Sequence, residues 1–279
     1  MCGTDGEGEW EGLKAKVGSI PYTPTEEEVD THNATHIPFR SWCPTCVRSK
    51  ADTPSHITNK NKGDGRMPKV SMDYMYMQIV GLTGTQPILV LKDVFTKVIH
   101  AMVVDRKGSG ATGIVKRVVK FINSLGYHSI ILRSDQEPAI KDLDQEVREA
   151  RAKDFIEIND GVRNNMGTSR VIIEHSGVAD SQANGDIESA IKRTQGQIRA
   201  LKDHIEVKCK QKMPTDCDAW KWLVEHAPAL ISRYQIGSDG KTARQRHKGS
   251  ESMKTVIAFG ERVLFKYCKT VDISKDEYR

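Results

Sequence analysis

The sequence predicts an α/β layered fold built on a mixed sheet. Two observations carry that reading. After residue 67 the chain gives three β-rich runs in succession, then alternates helix and strand patterns, and closes the alternation with one long amphipathic helix. At 279 residues there is room for one sizeable domain with appendages.

The elements follow in order. "KVSMDYMYM" (69–77) is strand-like and apolar on both faces. "QPILVLKDVFTKVIHAMVVD" (86–105) holds two β-rich runs, 88–95 and 98–104, which would pair with the first as a meander. In "GATGIVKRVVKFINSLG" (110–126), Ile114, Val115, Val118, Val119, Ile122 and Leu125 form one helical stripe, and Gly126 suits its C-terminal end. "HSIILRSD" is a short buried strand, "AIKDLDQEVREARAK" an amphipathic helix, "RVIIEHSG" another strand, and "SQANGDIESAIKRTQGQIRALKDHIE" the long helix. Trp220, Leu223, Ala227 and Leu230 or Ile231 have helical spacing and read as core.

Charge is unevenly spread. The first 30 residues hold eight acids against Lys14 and Lys16, so a net +5 for the chain leaves +11 for the remainder. A basic body behind an acidic, Gly-rich, disordered leader fits a polyanion partner, and equally a generally soluble basic surface. No apolar run approaches membrane-spanning length, and no targeting segment or internal repeat is read.

The stretch "THIPFRSWCPTC" carries chemistry. His32 and His36 stand at i,i+4, which places both on one face of a helix, and Cys43 and Cys46 form a C-x-x-C. A redox motif of that spacing needs a strand before it and a helix after it, whereas here a His pair precedes it and a polar stretch follows. The set His32, His36, Cys43, Cys46 suits one tetrahedral Zn²⁺ in a compact knuckle stabilised mainly by its metal.

Three acids stand out in the body. Asp73 interrupts an apolar strand, Asp135 ends "IILRSD" where strand gives way to loop, and Glu188 follows Asn184-Gly185, read as a turn, near the start of the long helix. Each has a plain reading: a buried ion pair, a helix cap, a favourable first-turn acid. Converging acids need cations, and a pair of Mg²⁺ ions for phosphoryl transfer meets that need.

On these residues the chain resembles the integrases of LTR retrotransposons and retroviruses, most closely the copia-like polyprotein integrases. His32, His36, Cys43 and Cys46 resemble the family's N-terminal zinc element. Asp73 in "VSMDYM" resembles the first catalytic acid, Asp135 in "RSDQE" the second, and "SQANGDIE" the family's Gln-x-Asn-Gly-x-x-Glu run, which puts the third at Glu188. The resemblance spans roughly residues 30–265. It implies an RNase H-like mixed five-stranded sheet flanked by helices, with a small zinc knuckle before it and a short C-terminal β segment after it. It also implies two Mg²⁺ (or Mn²⁺) ions at Asp73, Asp135 and Glu188, one Zn²⁺ in the knuckle, double-stranded DNA as partner, a homo-oligomer, no membrane, and a nuclear site of action, with a cytoplasmic particle before import. Departures are the short interval from His36 to Cys43, and 52 residues between Asp135 and Glu188, the surplus falling in "DFIEINDGVRNNMGTSR". Gln136 and Glu137 replace the family's Asn-Gly, which makes Glu137 a rival second ligand. No protease or reverse transcriptase sequence accompanies the chain, which reads as a polyprotein fragment or a separated gene.

The long helix carries two stripes. Ile187, Ala190, Ile191, Ile198 and Leu201 would pack on the sheet. Glu188, Lys192, Gln195, Arg199 and Lys202 form the second, so Lys192, Arg199 and Lys202 would hold DNA phosphates, or else form a solvated face. "DGKTARQRHKG" adds Lys241, Arg244, Arg246 and Lys248, and resembles the basic segment that closes integrase cores. The expected organisation is a leader 1–29, knuckle 30–50, linker 51–66, catalytic core 67–210, helical extension 211–250 and a partial β module 251–279. The predicted function is DNA 3′-end processing and strand transfer. The alternatives are an inactive or domesticated nucleic-acid-binding relative, and an RNase H-like nuclease.

Overall fold

A computed structural model describes residues 22–50, 67–77, 86–159, 170–175, 181–251 and 256–262. Its centre is a five-stranded sheet in the order β3-β2-β1-β4-β5. The strands are β1 (Lys69–Met75), β2 (Ile88–Asp93), β3 (Ile99–Val103), β4 (Ile130–Ser134) and β5 (Val171–His175). The first three form the expected antiparallel meander, while β4 joins β1 in parallel and β5 joins β4 in parallel. This mixed order with flanking helices is the RNase H-like arrangement that the resemblance implies.

Alternation along β1 sorts the two cores. Val70, Met72 and Tyr74 face α3 (Ile114–Ser124) and α4 (Pro138–Asn159), whose Val118, Ile122, Ile140 and Leu143 close that layer. Met75 and its neighbours Ile88, Val90 and Ala101 face α5 (Ser181–Cys209) and α6 (Asp218–Tyr234). Ile187, Ala190, Ile198 and Leu201 of α5 and Trp220, Leu223 and Ala227 of α6 lie in this second core, as their spacing predicts. Gly126 follows α3 with φ 78°, the left-handed position its sequence suggests. Among the described residues no helix is long and apolar enough to cross a membrane.

Several boundaries differ from the sequence reading. Asn184-Gly185 is no turn: α5 already begins at Ser181. Helix α4 runs on to Asn159, so the first part of the presumed insertion is helical, and 160–169 lies outside the described residues. The acids Glu26–Glu28 belong to α1 (Glu26–Asn33), where Thr25 and Glu28 form a capping box and the charges suit the helix N-terminus. Residues 256–262 contain no strand, and 263–279, most of the expected C-terminal β segment, lies outside the described residues, as do 1–21 and the linker 51–66.

The knuckle is docked on the core. Helix α2 (Pro44–Lys50) lies against α5, and a Cβ on Gly196 would stand 3.1 Å from the Ser49 carbonyl oxygen, so a side chain there would press the two helices apart by a few tenths of an ångström. Lys50 Nζ donates to the His36 carbonyl at 2.6 Å and to the Gln197 side chain, and Gln197 in turn donates to the Thr35 carbonyl. Arg48 pairs with Asp203 at 2.5 Å. Ile37 packs against the second core.

Candidate metal centres and nucleic-acid face

Local backbone builds the His/Cys centre. Helix α1 ends after Asn33, so His36 is not on the helical face with His32. It sits beyond the helix at φ 53°, its N–H reaching the His32 carbonyl at 2.6 Å, and this left-handed residue turns its ring back toward His32. Cys43 immediately precedes α2 and Cys46 lies in its first turn, where its N–H donates to the Cys43 sulfur at 3.5 Å. All four side chains are buried, and their ligand atoms lie within 4.8 Å of one another.

The donor set fits Zn²⁺. Cys46 Sγ is 3.2 Å from His32 Nε2 and 3.8 Å from His36 Nδ1, and Cys43 Sγ is 3.6 Å from His36 Nδ1. Tetrahedral bonds of about 2.3 Å to sulfur and about 2.0 Å to nitrogen space such ligands roughly 3.5 Å apart. Burial pulls the His32 pKa down to about 4 and that of His36 to about 3, keeping both imidazoles neutral and able to ligate. Burial also pushes the Cys46 thiol up to about 11, so a thiolate here calls for a cation beside it. His204 of α5 stacks edge-on against His36 with centroids 5.3 Å apart, an outer contact that the sequence spacing did not reveal.

Two of the three acids, Asp73 and Asp135, adjoin at the β1–β4 seam, and among the described residues no group of three acids stands close enough together to hold a metal ion. Asp73 shares the face of Met75 toward α5, and Asp135 follows the last residue of β4, the parallel neighbour of β1. Burial raises the Asp73 pKa to about 6, and the negative charges of Asp135 and Glu137 add to it. One Asp73 oxygen accepts the Tyr74 N–H at 2.7 Å, and one Asp135 oxygen accepts the Glu137 N–H at 3.0 Å. Glu137 is engaged otherwise: Lys107 Nζ holds its two oxygens at 2.7 and 2.8 Å while lying 5.3 and 5.4 Å from the ring centres of Tyr74 and Tyr76. Glu188 is exposed on α5 and is not among the groups that weigh most on Asp73. The pair Asp73–Asp135, all oxygen and charged against its neighbours, fits hard divalent cations such as Mg²⁺.

Lys107, Tyr74 and Tyr76 were not legible as site residues. Lys107 lies in the turn "DRKGSG", and only the sheet brings it to Glu137; the Gly108 N–H donates to the Tyr74 hydroxyl at 3.0 Å, fixing that turn. A second missed group stands behind Asp135. Fully buried Asp144 accepts from Ser134 Oγ at 2.6 Å and lies 3.7 Å from His175 Nδ1. Burial, then the Asp135 charge, raises its pKa to about 7.

The basic residues divide. Lys192 is exposed. Arg199 is exposed yet donates to the Ser49 carbonyl at 3.4 Å, and Lys202 is held by Glu206 with its side chain only 14% exposed. Arg246 is turned inward: it grips Asp239, the Lys241 carbonyl at 2.9 Å and the Thr96 carbonyl at 3.4 Å, closing the loop before α7 (Ala243–Lys248). Arg244 is half-buried, whereas Lys241 and Lys248 are exposed.

No protein-family model and no curated protein matches the chain. Among solved structures it is similar to the HTLV-2 integrase catalytic core domain in complex with magnesium. For the trimeric form of that domain the TM-score is 0.40 at 18% identity, over 66% of this chain and 99% of that one. For the dimeric form it is 0.39 at 19% identity, over 66% and 99%. It is also similar to the simian T-cell lymphotropic virus intasome in complex with PP2A regulatory subunit B56 gamma, with a TM-score of 0.44 at 15% identity, over 84% of this chain and 69% of that one.

Proposed function

We propose that the chain is a metal-dependent polynucleotidyl transferase, an integrase of the copia-like retrotransposon type, that trims DNA 3′ ends and joins them to target DNA in the nucleus as a homo-oligomer. The observation that carries this reading is the adjacency of Asp73, in β1, and Asp135, just past the end of the parallel neighbour β4, close enough for the Asp135 charge to help raise the Asp73 pKa. Two divalent ions held there would activate the attacking oxygen and stabilise the leaving one in an in-line displacement.

The chain's own groups set the rest. Asp73 and Asp135, with Glu188 as a third acid, would hold the cations, which would supply Lewis-acid chemistry to the phosphodiester. Lys107 neutralises Glu137, so the pair adds no net negative charge beside Asp73. Lys192, Arg199, Lys241 and Lys248 would hold the DNA backbone without reading sequence. Water as nucleophile gives trimming, and a DNA 3′-hydroxyl gives joining. The exposure of Glu188 favours a second reading, a binding module without turnover.

The test incubates purified protein and Mg²⁺ with oligonucleotides carrying the element's ends, and in parallel with an RNA–DNA hybrid. Trimmed and joined DNA products support the integrase. Cleavage confined to the hybrid's RNA identifies a nuclease, and a mobility shift without product identifies the binding module.

A further inference from the structure

A trough runs along the seam between knuckle and core. Its first part, ≈ 400 Å³, lies between Ile37, Pro38 and Phe39 of the knuckle and Lys192, Arg193, Tyr234 and Ile236 of α5 and the end of α6. Its second part, ≈ 370 Å³, shares Arg193, Ile231, Gln235 and Ile236 with the first and continues to Lys92 and Lys97 of the β2–β3 region. The two parts are thus one continuous surface.

Its lining is unusual in two respects. Phe39 is 47% exposed and Ile236 67% exposed, so large apolar side chains on facing walls meet water. Between and beyond them stand cations. Lys192 and Arg193 are exposed and have no hydrogen-bond or ion-pair partner among the described residues, and Lys97 has only a distant contact, 4.0 Å, to Asp186. Asp186 is the one acid on the walls, and Lys92 already occupies it at 3.2 Å. The trough is therefore positive, with an apolar, partly aromatic wall.

An occupant must bring negative charge at intervals and flat apolar faces between. A duplex hides its base faces in the stack, so Phe39 and Ile236 would meet nothing. A run of acidic residues, such as polyglutamate, brings charge without the faces. A single strand of nucleic acid brings both, because aromatic side chains stack on any base while cations follow the phosphates.

We propose that this trough binds single-stranded nucleic acid, its bases against Phe39, Tyr234 and Ile236 and its phosphates on Lys97, Lys192 and Arg193. The assignment is independent of the carboxylate centre and holds whether or not that centre is active.

The experiment measures binding of labelled oligothymidylate and oligouridylate of about ten nucleotides, within the usual span of a single-strand groove, to the full chain loaded with Zn²⁺. A blunt duplex and a polyglutamate of matched charge are the comparators. Phe39→Ala and Ile236→Ser are each expected to weaken the single strand by about tenfold, the effect of losing one base contact, and to leave duplex affinity unchanged. Arg193→Ala is expected to make the single-strand salt dependence shallower by about 0.7. A preference between the two oligonucleotides identifies DNA or RNA as the source. Ile236 lies outside the knuckle, so its variant decides the matter if Phe39→Ala fails to fold. Unchanged single-strand affinity in Ile236→Ser and Arg193→Ala, or displacement of the oligonucleotide by polyglutamate at equal potency, overturns the proposal.

Discussion

Gln197, midway along the long helix, donates from its side chain to the Thr35 carbonyl, four residues before Phe39 in the knuckle, and is itself almost fully buried. A helix that packs its opposite stripe on the sheet thus also serves as the floor of the metal centre. The knuckle is part of the core's fold and not a separate bead, with two consequences for stability.

Cys46→Ser removes one ligand, and is expected both to lose the metal and to lower the unfolding temperature of the whole chain, because α2 leaves α5. Metal content by atomic absorption and a thermal melt check it. Gly196→Val, which leaves every ligand in place, drives a side chain into the Ser49 carbonyl and is expected to cost about 1–3 kcal/mol. Equal melting temperatures in wild type and Gly196→Val would show that the docking contributes nothing.

Glu137 competes with Asp135 on sequence, and the structure separates them. Glu137 gives both oxygens to Lys107, whereas one Asp135 oxygen accepts the Glu137 N–H and, among the described residues, no Lys or Arg pairs with it. Asp135→Asn is expected to reduce DNA cleavage to background, and Glu137→Gln to reduce it by about tenfold, as an outer partner does. The reverse order of loss, measured on end oligonucleotides, would make Glu137 the ligand.

Asp144 predicts a pH dependence. Its pKa rises from 3.8 unfolded to about 7 folded, so between those values the folded chain holds a proton that the unfolded chain has released. Stability from this group is full below about pH 4 and falls as pH rises toward 7, by on the order of a few kcal/mol. His175 Nδ1 lies 3.7 Å from the Asp144 carboxylate. Asp144→Asn is expected to flatten the profile and to gain most over wild type near pH 8. Denaturant melts from pH 5 to 8 give the comparison, and parallel profiles would remove Asp144 as the cause.

The basic stripe of α5 carries a smaller expectation than its sequence suggests. Lys202 is tied to Glu206, which leaves Lys192 and Arg199 for phosphates. Replacing Lys192, Arg199 and Lys202 together with Ala should make the slope of log affinity against log salt on duplex DNA shallower by about 1.8, at ~0.9 for each of two contacts. An unchanged slope across a salt series would mean this face does not hold DNA.

These corrections show what a sequence can carry. Periodicity placed the five strands and the long helices of the described residues, because stripes such as Val118–Ile122 and Ile198–Leu201 record which face is buried. Residue chemistry placed the knuckle ligands, since few other arrangements accommodate two imidazoles and two thiols so close in sequence. It missed the left-handed turn at His36, which a histidine signals only weakly, and read Asn184-Gly185 as a turn where packing of Ile187 and Ala190 carries the helix through. Lys107, Asp144 and His204 were invisible for a different reason: each meets its partner across the tertiary fold, and nothing local marks it. The charge of Arg246 is legible in the sequence and its partner Asp239 is not.

The central claim is that the β1–β4 seam is a metal-dependent phosphoryl-transfer centre. The most direct measurement follows a labelled DNA end incubated with wild type and with Asp73→Asn, in Mg²⁺, in Mn²⁺ and in chelator, with binding measured on the same samples. Asp73→Asn keeps the shape of the side chain and removes one charge from a site where burial already raises the pKa to about 6. The account predicts shortened and joined strands from wild type with either metal, none in chelator, and none from Asp73→Asn although it still binds. Product from Asp73→Asn at the wild-type rate, or none from wild type with either metal, would contradict it.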